Sequence, residues 1–302
     1  MKIKSGMALA ILSLASANAF SATFDVPPAN KSLIGKIEYR NTGSDDSITK
    51  LQERYDLGFN AIERANPQIN PAKPLSYGEV KLPTQHLLPN EVREGIIVNL
   101  PEMRMYYFIP GTSKVATYPI GIGRIGKTIP LATATITKKV KDPMWVPTED
   151  IRAFNITQGV ILPQIMPPGP DNPLGPYAIY TSIPTYLIHS TIFPESIGKR
   201  ASFGCIRMFE SDIQDFFPSI EPGLPFIITN SPVKVGWQDN RLLMEAHTPL
   251  EEHTAAYDAT LKGTASLINQ VARDLDTLVD WQAVAFIEKE RDGIPHEIGT
   301  RL

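Results

Sequence analysis

The sequence predicts a mainly β domain at residues 95–232, with a small α/β module ahead of it at 34–84 and a helical extension behind it at 233–302. Three observations carry that assignment. Twenty-seven prolines and 20 glycines are spread along the chain, so turns are frequent and the segments between them short. From Gly95 onward, β-rich runs bounded by turn residues recur. On either side of that region, apolar residues instead repeat at helical spacing.

Residues 1–19 read as a secretory signal peptide. Lys2 and Lys4 precede an apolar stretch at 7–15, and Ala17-Asn18-Ala19 is a small-residue cleavage pattern, so the mature chain is expected to start near Phe20. The stretch is short for a membrane anchor, and no cysteine stands nearby to accept a lipid. About 280 residues remain, enough for one large domain or two smaller ones with proper cores. With 29 basic against 32 acidic residues, the net charge of −3 gives no support for a nucleic-acid partner.

In the first module, residues 34–39 alternate weakly. Asp46-Ser47 offers a helix start, and Ile48, Leu51 and Tyr55 share one helical face. Phe59, Ile62 and Ala65 repeat the pattern up to Asn66-Pro67, and Pro74, Gly78, Val80, Leu82 and Pro83 return the chain to a strand. This strand–helix–helix–strand order, with Tyr55, Asn66, Asn70, Gly78 and the closing Leu82-Pro83, resembles a lysin motif (LysM). The resemblance implies binding of peptidoglycan or chitin glycan, or a module used only for packing. Where the motif usually has Gly-Asp before its first helix, this chain has Ser44-Asp45-Asp46.

In the β region, Ile96, Val98 and Leu100 alternate, 103–109 is a second run, and Pro110-Gly111 turns the chain into a third at 115–120. The glycine-rich stretch from Ile120 to Lys127 is not a phosphate loop, because Thr128-Ile129-Pro130 and the β-rich 134–140 stand where a helix would be needed. Strand signals follow at 177–180 and 186–188. A long proline-rich connection at 163–175 has the character of a lid or cleft wall. Ser211 with Gln214 reads as a capping box for a helix carrying Ile213, Phe216 and Phe217, and the strand 225–229 closes the domain. Beyond it, Leu261, Ala265, Ile268, Val271, Leu275 and Leu278 share a helical face, and Asp280 caps a second helix through Val284 and Ile287.

The chemistry concentrates at the only cysteine. Cys205 sits in Ser202-Phe203-Gly204-Cys205-Ile206-Arg207, sixteen positions after His189 in the apolar run Tyr186-Leu187-Ile188-His189-Ser190. A free thiol is mostly protonated at neutral pH, so a nucleophilic cysteine needs a neighbouring base or cation, and His189 can supply either. Gly204 permits a tight turn that exposes N–H groups, the geometry of an oxyanion hole. An exported chain with one cysteine has no internal disulfide to make, which favours a chemical use for the thiol. The other histidines, His86, His247, His253 and His296, lack metal-ligand spacing and read as solvated surface.

With these residues, 96–237 resembles the catalytic domain of the L,D-transpeptidases (YkuD-type), in their periplasmic Gram-negative branch. The stretches that carry the resemblance are Pro119-Ile120-Gly121-Ile122-Gly123-Arg124, Val140-Lys141-Asp142-Pro143-Met144-Trp145, Ile188-His189-Ser190-Thr191 and 202–208. It implies a β-sandwich-like fold, no metal or cofactor, and acyl transfer on peptidoglycan stem peptides. Cys205 would attack the bond between the diamino acid and terminal D-alanine, and His189 would serve as proton acceptor and donor. Ser190 would orient the imidazole, Ser202 would brace the turn, and Arg207 would fix the loop or meet a substrate carboxylate. Trp145 matches a family position and reads as packing. The acceptor amine could belong to another stem peptide, an outer-membrane lipoprotein lysine or a free D-amino acid, or be replaced by water. Phe203 replaces a histidine usual in the motif. The rival reading is a catalytically inactive or hydrolytic peptidoglycan-binding protein.

Overall fold

Ser47 illustrates how local chemistry sets the first elements. Its hydroxyl accepts from the Lys50 N–H at 3.2 Å, capping a helix whose Ile48 and Leu51 are buried. The computed structural model describes residues 22–73, 75, 78–127, 129–253, 261–273 and 276–302. The signal segment, Pro74, Thr128 and Leu275 lie outside the described residues. The first part of the chain forms β1 (Ala22–Asp25), β2 (Leu33–Gly35), β3 (Glu38–Thr42), α1 (Ile48–Tyr55), α2 (Phe59–Ala65), β4 (Gly78–Leu82) and β5 (Gln85–Leu87). Strands β3 and β4 pair antiparallel, and Leu51, Leu57, Ile62 and Leu82 form a small core between them and the helices. Asn66 ties the end of α2 to β4, donating to Ile62 and Lys81 carbonyls and accepting from the Lys81 N–H, each at 2.8 Å.

The central region comprises β6 (Gly95–Asn99), β7 (Arg104–Phe108), β8 (Lys114–Pro119), β9 (Ile122–Gly123), β10 (Ala132–Lys141), α3 (Glu149–Thr157), β11 (Tyr177–Thr181), β12 (Leu187–His189), β13 (Arg200–Ser202), β14 (Ile206–Arg207), α4 (Glu210–Phe216) and β15 (Pro225–Thr229). Nine strands make one mixed sheet in the order β1-β8-β7-β6-β15-β10-β11-β12-β14, and β13 pairs with β9 beside it. The region is thus mainly β, as its sequence predicts. Strand β6 is buried along its whole length, so the alternation read there becomes a continuous apolar strand enclosed on both faces. Helix α4 packs Ile213 and Phe216 into the core, where Phe216 meets Tyr107 edge-on with centroids 5.1 Å apart.

Two expectations change here. Helix α4 starts at Glu210 with Phe209 as its N-cap and no side-chain cap bond, so Ser211 lies inside the first turn and forms no capping box. Helix α3 lies in a stretch given no element by its apolar pattern, because it buries none of its residues. Thr148 caps it, with Glu149 and Asp150 in its first turn.

The wholly helical reading of 233–302 is also corrected. Helices α5 (Leu261–Val271) and α6 (Trp281–Glu290) are present, but they pack on a sheet of β16 (Val233–Gln238), β17 (Arg241–Ala246), β18 (Thr277–Val279) and β19 (His296–Arg301), ordered β16-β17-β19-β18. Val233, Val235 and Trp237 alternate on one side of an Asp239-Asn240 turn and Leu242, Met244 and Ala246 on the other, a hairpin signal that the helical run downstream overshadowed. Ile268, Val284 and Ile287 cover this face. Leu278, placed on the helical face by its spacing, stands exposed in β18. Asp280 does cap α6, accepting from the Gln282 and Ala283 N–H groups at 2.9 and 3.0 Å.

Candidate active site

The residues of the Ser202–Arg207 motif are set by backbone pairing on both sides. Strand β14 runs parallel to β12, with Ile188 opposite Ile206 and His189 opposite Arg207. From the other side the glycine-rich stretch clamps the turn: Gly121 and Arg207 exchange two N–H···O bonds of 2.9 Å, and the Arg124 N–H donates to the Ser202 carbonyl at 3.0 Å. This clamp explains the glycines. A Cβ on Gly123 would stand 2.1 Å from the Lys127 carbonyl oxygen, so only glycine permits the approach. Gly204 has φ +116°, and a Cβ there would stand 2.6 Å from the Tyr186 ring.

Cys205 and His189 line one cavity of about 620 Å³, together with Arg124, Tyr186, Phe203 and Arg207. Among the described residues no hydrogen bond joins the sulfur to the imidazole; the thiol donates to the Thr185 carbonyl at 3.7 Å. Thr185 holds φ +70°, an unusual conformation for a β-branched residue and a local strain placed against the thiol. The His189 Nδ1–H donates to the Ser190 carbonyl at 2.5 Å, which leaves Nε2 as the basic nitrogen. Burial, and then the Arg207 charge, push His189 down to about 3. Burial pushes the Cys205 thiol up, offset in part by the Leu187 N–H and Arg207. Both shifts favour the neutral thiol and the neutral imidazole over a thiolate–imidazolium pair.

The remaining motif residues divide by what they touch. Ser202 Oγ accepts from the Gly204 N–H at 3.1 Å and donates to the Cys205 carbonyl at 2.6 Å, stapling the turn. The Gly204 N–H is thereby occupied, and among the described residues the Cys205 N–H has no acceptor. Ser190 reaches His189 through its carbonyl; its hydroxyl instead donates to Leu174 at 2.8 Å and accepts from the Tyr177 N–H at 3.2 Å, tying down the end of the proline-rich connection. Phe203 packs edge-on against Phe154 of α3. The Arg207 guanidinium stands 5.8 Å from the Phe193 ring and has no ion pair among the described residues. Trp145 lines the cavity and pairs its backbone with Met166.

The motif reading missed Arg124, Phe154 and Thr185. Arg124 closes a stretch that carried the family resemblance but was given no role in the site, and Phe154 belongs to the helix that lacked an apolar stripe. The surface reading of the histidines is corrected for two of them. His86 and His247 are buried beside Glu102 and Glu245, because β5, β7 and β17 converge there. His86, Glu102 and Glu245 bring their ligand atoms within 4.8 Å of one another, the spacing of a metal site. Lys234 already fills that role: its ammonium lies 2.9 Å from Glu102 and 3.0 Å from Glu245.

A model of the L,D-transpeptidase catalytic domain (YkuD) matches residues 93–228, the span that carries the clamp, the turn and the cavity. The chain belongs to the L,D-transpeptidase family. Probable L,D-transpeptidase YcfS of Escherichia coli (strain K12) is 36% identical over 282 residues, covering 91% of this chain and 88% of that protein. Probable L,D-transpeptidase ErfK/SrfK of the same organism is 36% identical over 256 residues, covering 83% and 82%. Probable L,D-transpeptidase YbiS of E. coli is 32% identical over 305 residues, covering 98% of each chain.

Proposed function

We propose that this chain is an exported, periplasmic peptidoglycan L,D-transpeptidase in which Cys205 is the nucleophile and His189 the proton carrier, with the LysM-like module holding glycan. The observation that carries the reading is the shared cavity, lined by the buried His189 at the end of β12 and by Cys205 in the turn that leads into the adjacent β14. Because the resting pair is neutral, the thiol proton passes to His189 Nε2 as the sulfur attacks the carbonyl between diamino acid and D-alanine. The Cys205 N–H is the backbone donor free to meet the oxyanion, while Ser202 keeps the turn in shape. Collapse breaks the C–N bond, the proton moves from His189 to the departing D-alanine amine, and a thioester remains. An acceptor amine then attacks the thioester, gives its proton to His189, and leaves as an amide while the thiol is restored.

The amine belongs to a second stem peptide or a lipoprotein lysine, which mass spectrometry of the muropeptide and protein products distinguishes. The primary experiment incubates the purified protein with disaccharide tetrapeptides and measures D-alanine. Release by the wild type, abolished in Cys205→Ala and reduced at least a thousandfold in His189→Ala, is the expected result. Binding of the muropeptides with no release would leave the peptidoglycan-binding reading in its place.

A further inference from the structure

The cavity holds a charged feature that acyl transfer at Cys205 leaves unused. The guanidinium carbon of Arg124 lies 4.4 Å from the Phe154 ring centroid and 4.0 Å from that of Phe203. The two rings meet edge-to-face with centroids 5.4 Å apart, so the guanidinium fills the notch of a T. Nη2 donates to the Ala201 carbonyl at 3.3 Å, and Nε is buried without a partner. Among the described residues Nη1 makes no hydrogen bond, and it is not one of the buried atoms, so it is the group left to meet a ligand.

Among the described residues, the neighbouring acids leave the two guanidiniums without a counter-ion. Lys127 binds Asp150, the acid on the facing end of α3, at 2.5 Å. Arg207 lines the same cavity, has its own buried and unpartnered Nε, and feels the Arg124 charge as repulsion. Glu195 faces Arg207 but makes no ion pair with it. A half-buried Arg124 with its Nη1 open to the cavity, and an Arg207 that burial and the Arg124 charge both destabilise, make a receptor for a carboxylate, which a planar fork binds through charge-assisted hydrogen bonds.

We propose that Arg124, seated between Phe154 and Phe203, is a substrate-positioning residue that holds a free D-centre carboxylate of the acyl donor. The inference rests on the transpeptidase reading above and deepens it. Such a carboxylate occurs both on the terminal D-amino acid and on the side chain of a meso-diamino acid; held at Arg124, it sets the scissile carbonyl against Cys205. Phe203, the departure from the usual histidine, then has a role: its ring faces the guanidinium and links the catalytic turn to α3.

The test compares three tetrapeptide donors, the free acid and the two forms amidated at one or the other carboxylate, on wild type, Arg124→Gln and Arg124→Lys. The wild type is expected to favour the free acid over one of the amides by about 10- to 100-fold in kcat/KM, and that amide identifies the carboxylate. Arg124→Gln should lose the preference, in KM through the missing ion pair and in kcat through the misplaced carbonyl, and Arg124→Lys should recover part of it. Alkylation of Cys205 by uncharged iodoacetamide should be unchanged in both variants, which separates positioning from damage to the turn. Equal loss on all three donors, or a preference that survives Arg124→Gln, overturns the proposal. Calorimetric binding of the same donors to Cys205→Ala provides a readout without turnover: an Arg124-dependent preference in binding, with no D-alanine released by the wild type, sinks the transpeptidase reading and leaves the carboxylate site standing.

Discussion

At Cys205 the electrostatics favour the thiol over the thiolate. The sulfur donates to a carbonyl and burial raises its pKa, while His189 stays neutral down to about pH 3. With the thiol mostly protonated below its raised pKa, the thiolate fraction grows about tenfold per pH unit, and no imidazole titrates near neutrality to interrupt it. Iodoacetamide alkylation of Cys205 should therefore climb without a plateau from pH 6 to 9. A plateau beginning below pH 7 would mean a preformed thiolate–imidazolium pair. On the proposed mechanism, His189 then serves by moving a proton during attack rather than by holding a thiolate beforehand.

Among elements, α3 stands out because it roofs the cavity without entering any core. No residue of it is buried, and its hold on the body includes the Phe154 contacts to Phe203 and Arg124 and the half-exposed Lys127–Asp150 pair, a kind of ion pair that contributes little. Arg152 donates to the Leu162, Pro163 and Gln164 carbonyls, so the helix is tied to the start of the proline-rich connection. Phe154→Ala should raise amide exchange across α3 and this connection by about tenfold, because it deletes the ring that holds both Phe203 and the Arg124 guanidinium. The Tm should hold within about 2 °C, because no core side chain is removed. A large fall in Tm would show α3 to be part of the core after all.

For the molecule as a whole, buried charge sits where the three parts meet. Lys234 of β16 neutralises Glu102, just before β7, and Glu245 of β17. Burial works against the Glu245 carboxylate, but Lys234 and the hydrogen bond from His247 outweigh it and hold its pKa well below the usual range. Lys234→Met should cost about 3–5 kcal/mol in urea unfolding, because it strands two buried carboxylates. Asp56, after α1, faces Asp212 of α4, with Arg104 nearby. Burial and then the Asp56 charge raise the Asp212 pKa well above normal. A carboxyl raised in the folded state contributes stability fully present below its unfolded pKa and lost as pH rises through the folded one. The wild type should therefore weaken as pH rises from the ordinary carboxylate range, and Asp212→Asn should flatten that slope; identical slopes in urea titrations would refute the shared burial. Docking also bears on the site: Gln52 of α1 donates to the Ile197 carbonyl at 2.9 Å, in the segment joining His189 to the catalytic turn.

The sequence by itself determined the longer strands of residues 95–229 and the helices of the N-terminal module, and it singled out His189 and Cys205, because each rests on local spacing, turn chemistry or a motif; the short β9, β13 and β14 carry no such pattern. Tertiary structure decided what local pattern cannot encode. A helix with no buried face, such as α3, leaves no apolar period to read. His86 and His247 look like surface residues until β16, β17 and the segment before β7 bring Lys234, Glu245 and Glu102 around them. The Asp239-Asn240 hairpin was legible but lost beside a longer helical pattern. Arg124 acquires meaning only when the glycine clamp carries it beside Phe203, 79 positions away in sequence. The protonation state of the central pair likewise depends on burial and on Arg207 in the facing strand, which no spacing between a cysteine and a histidine can specify.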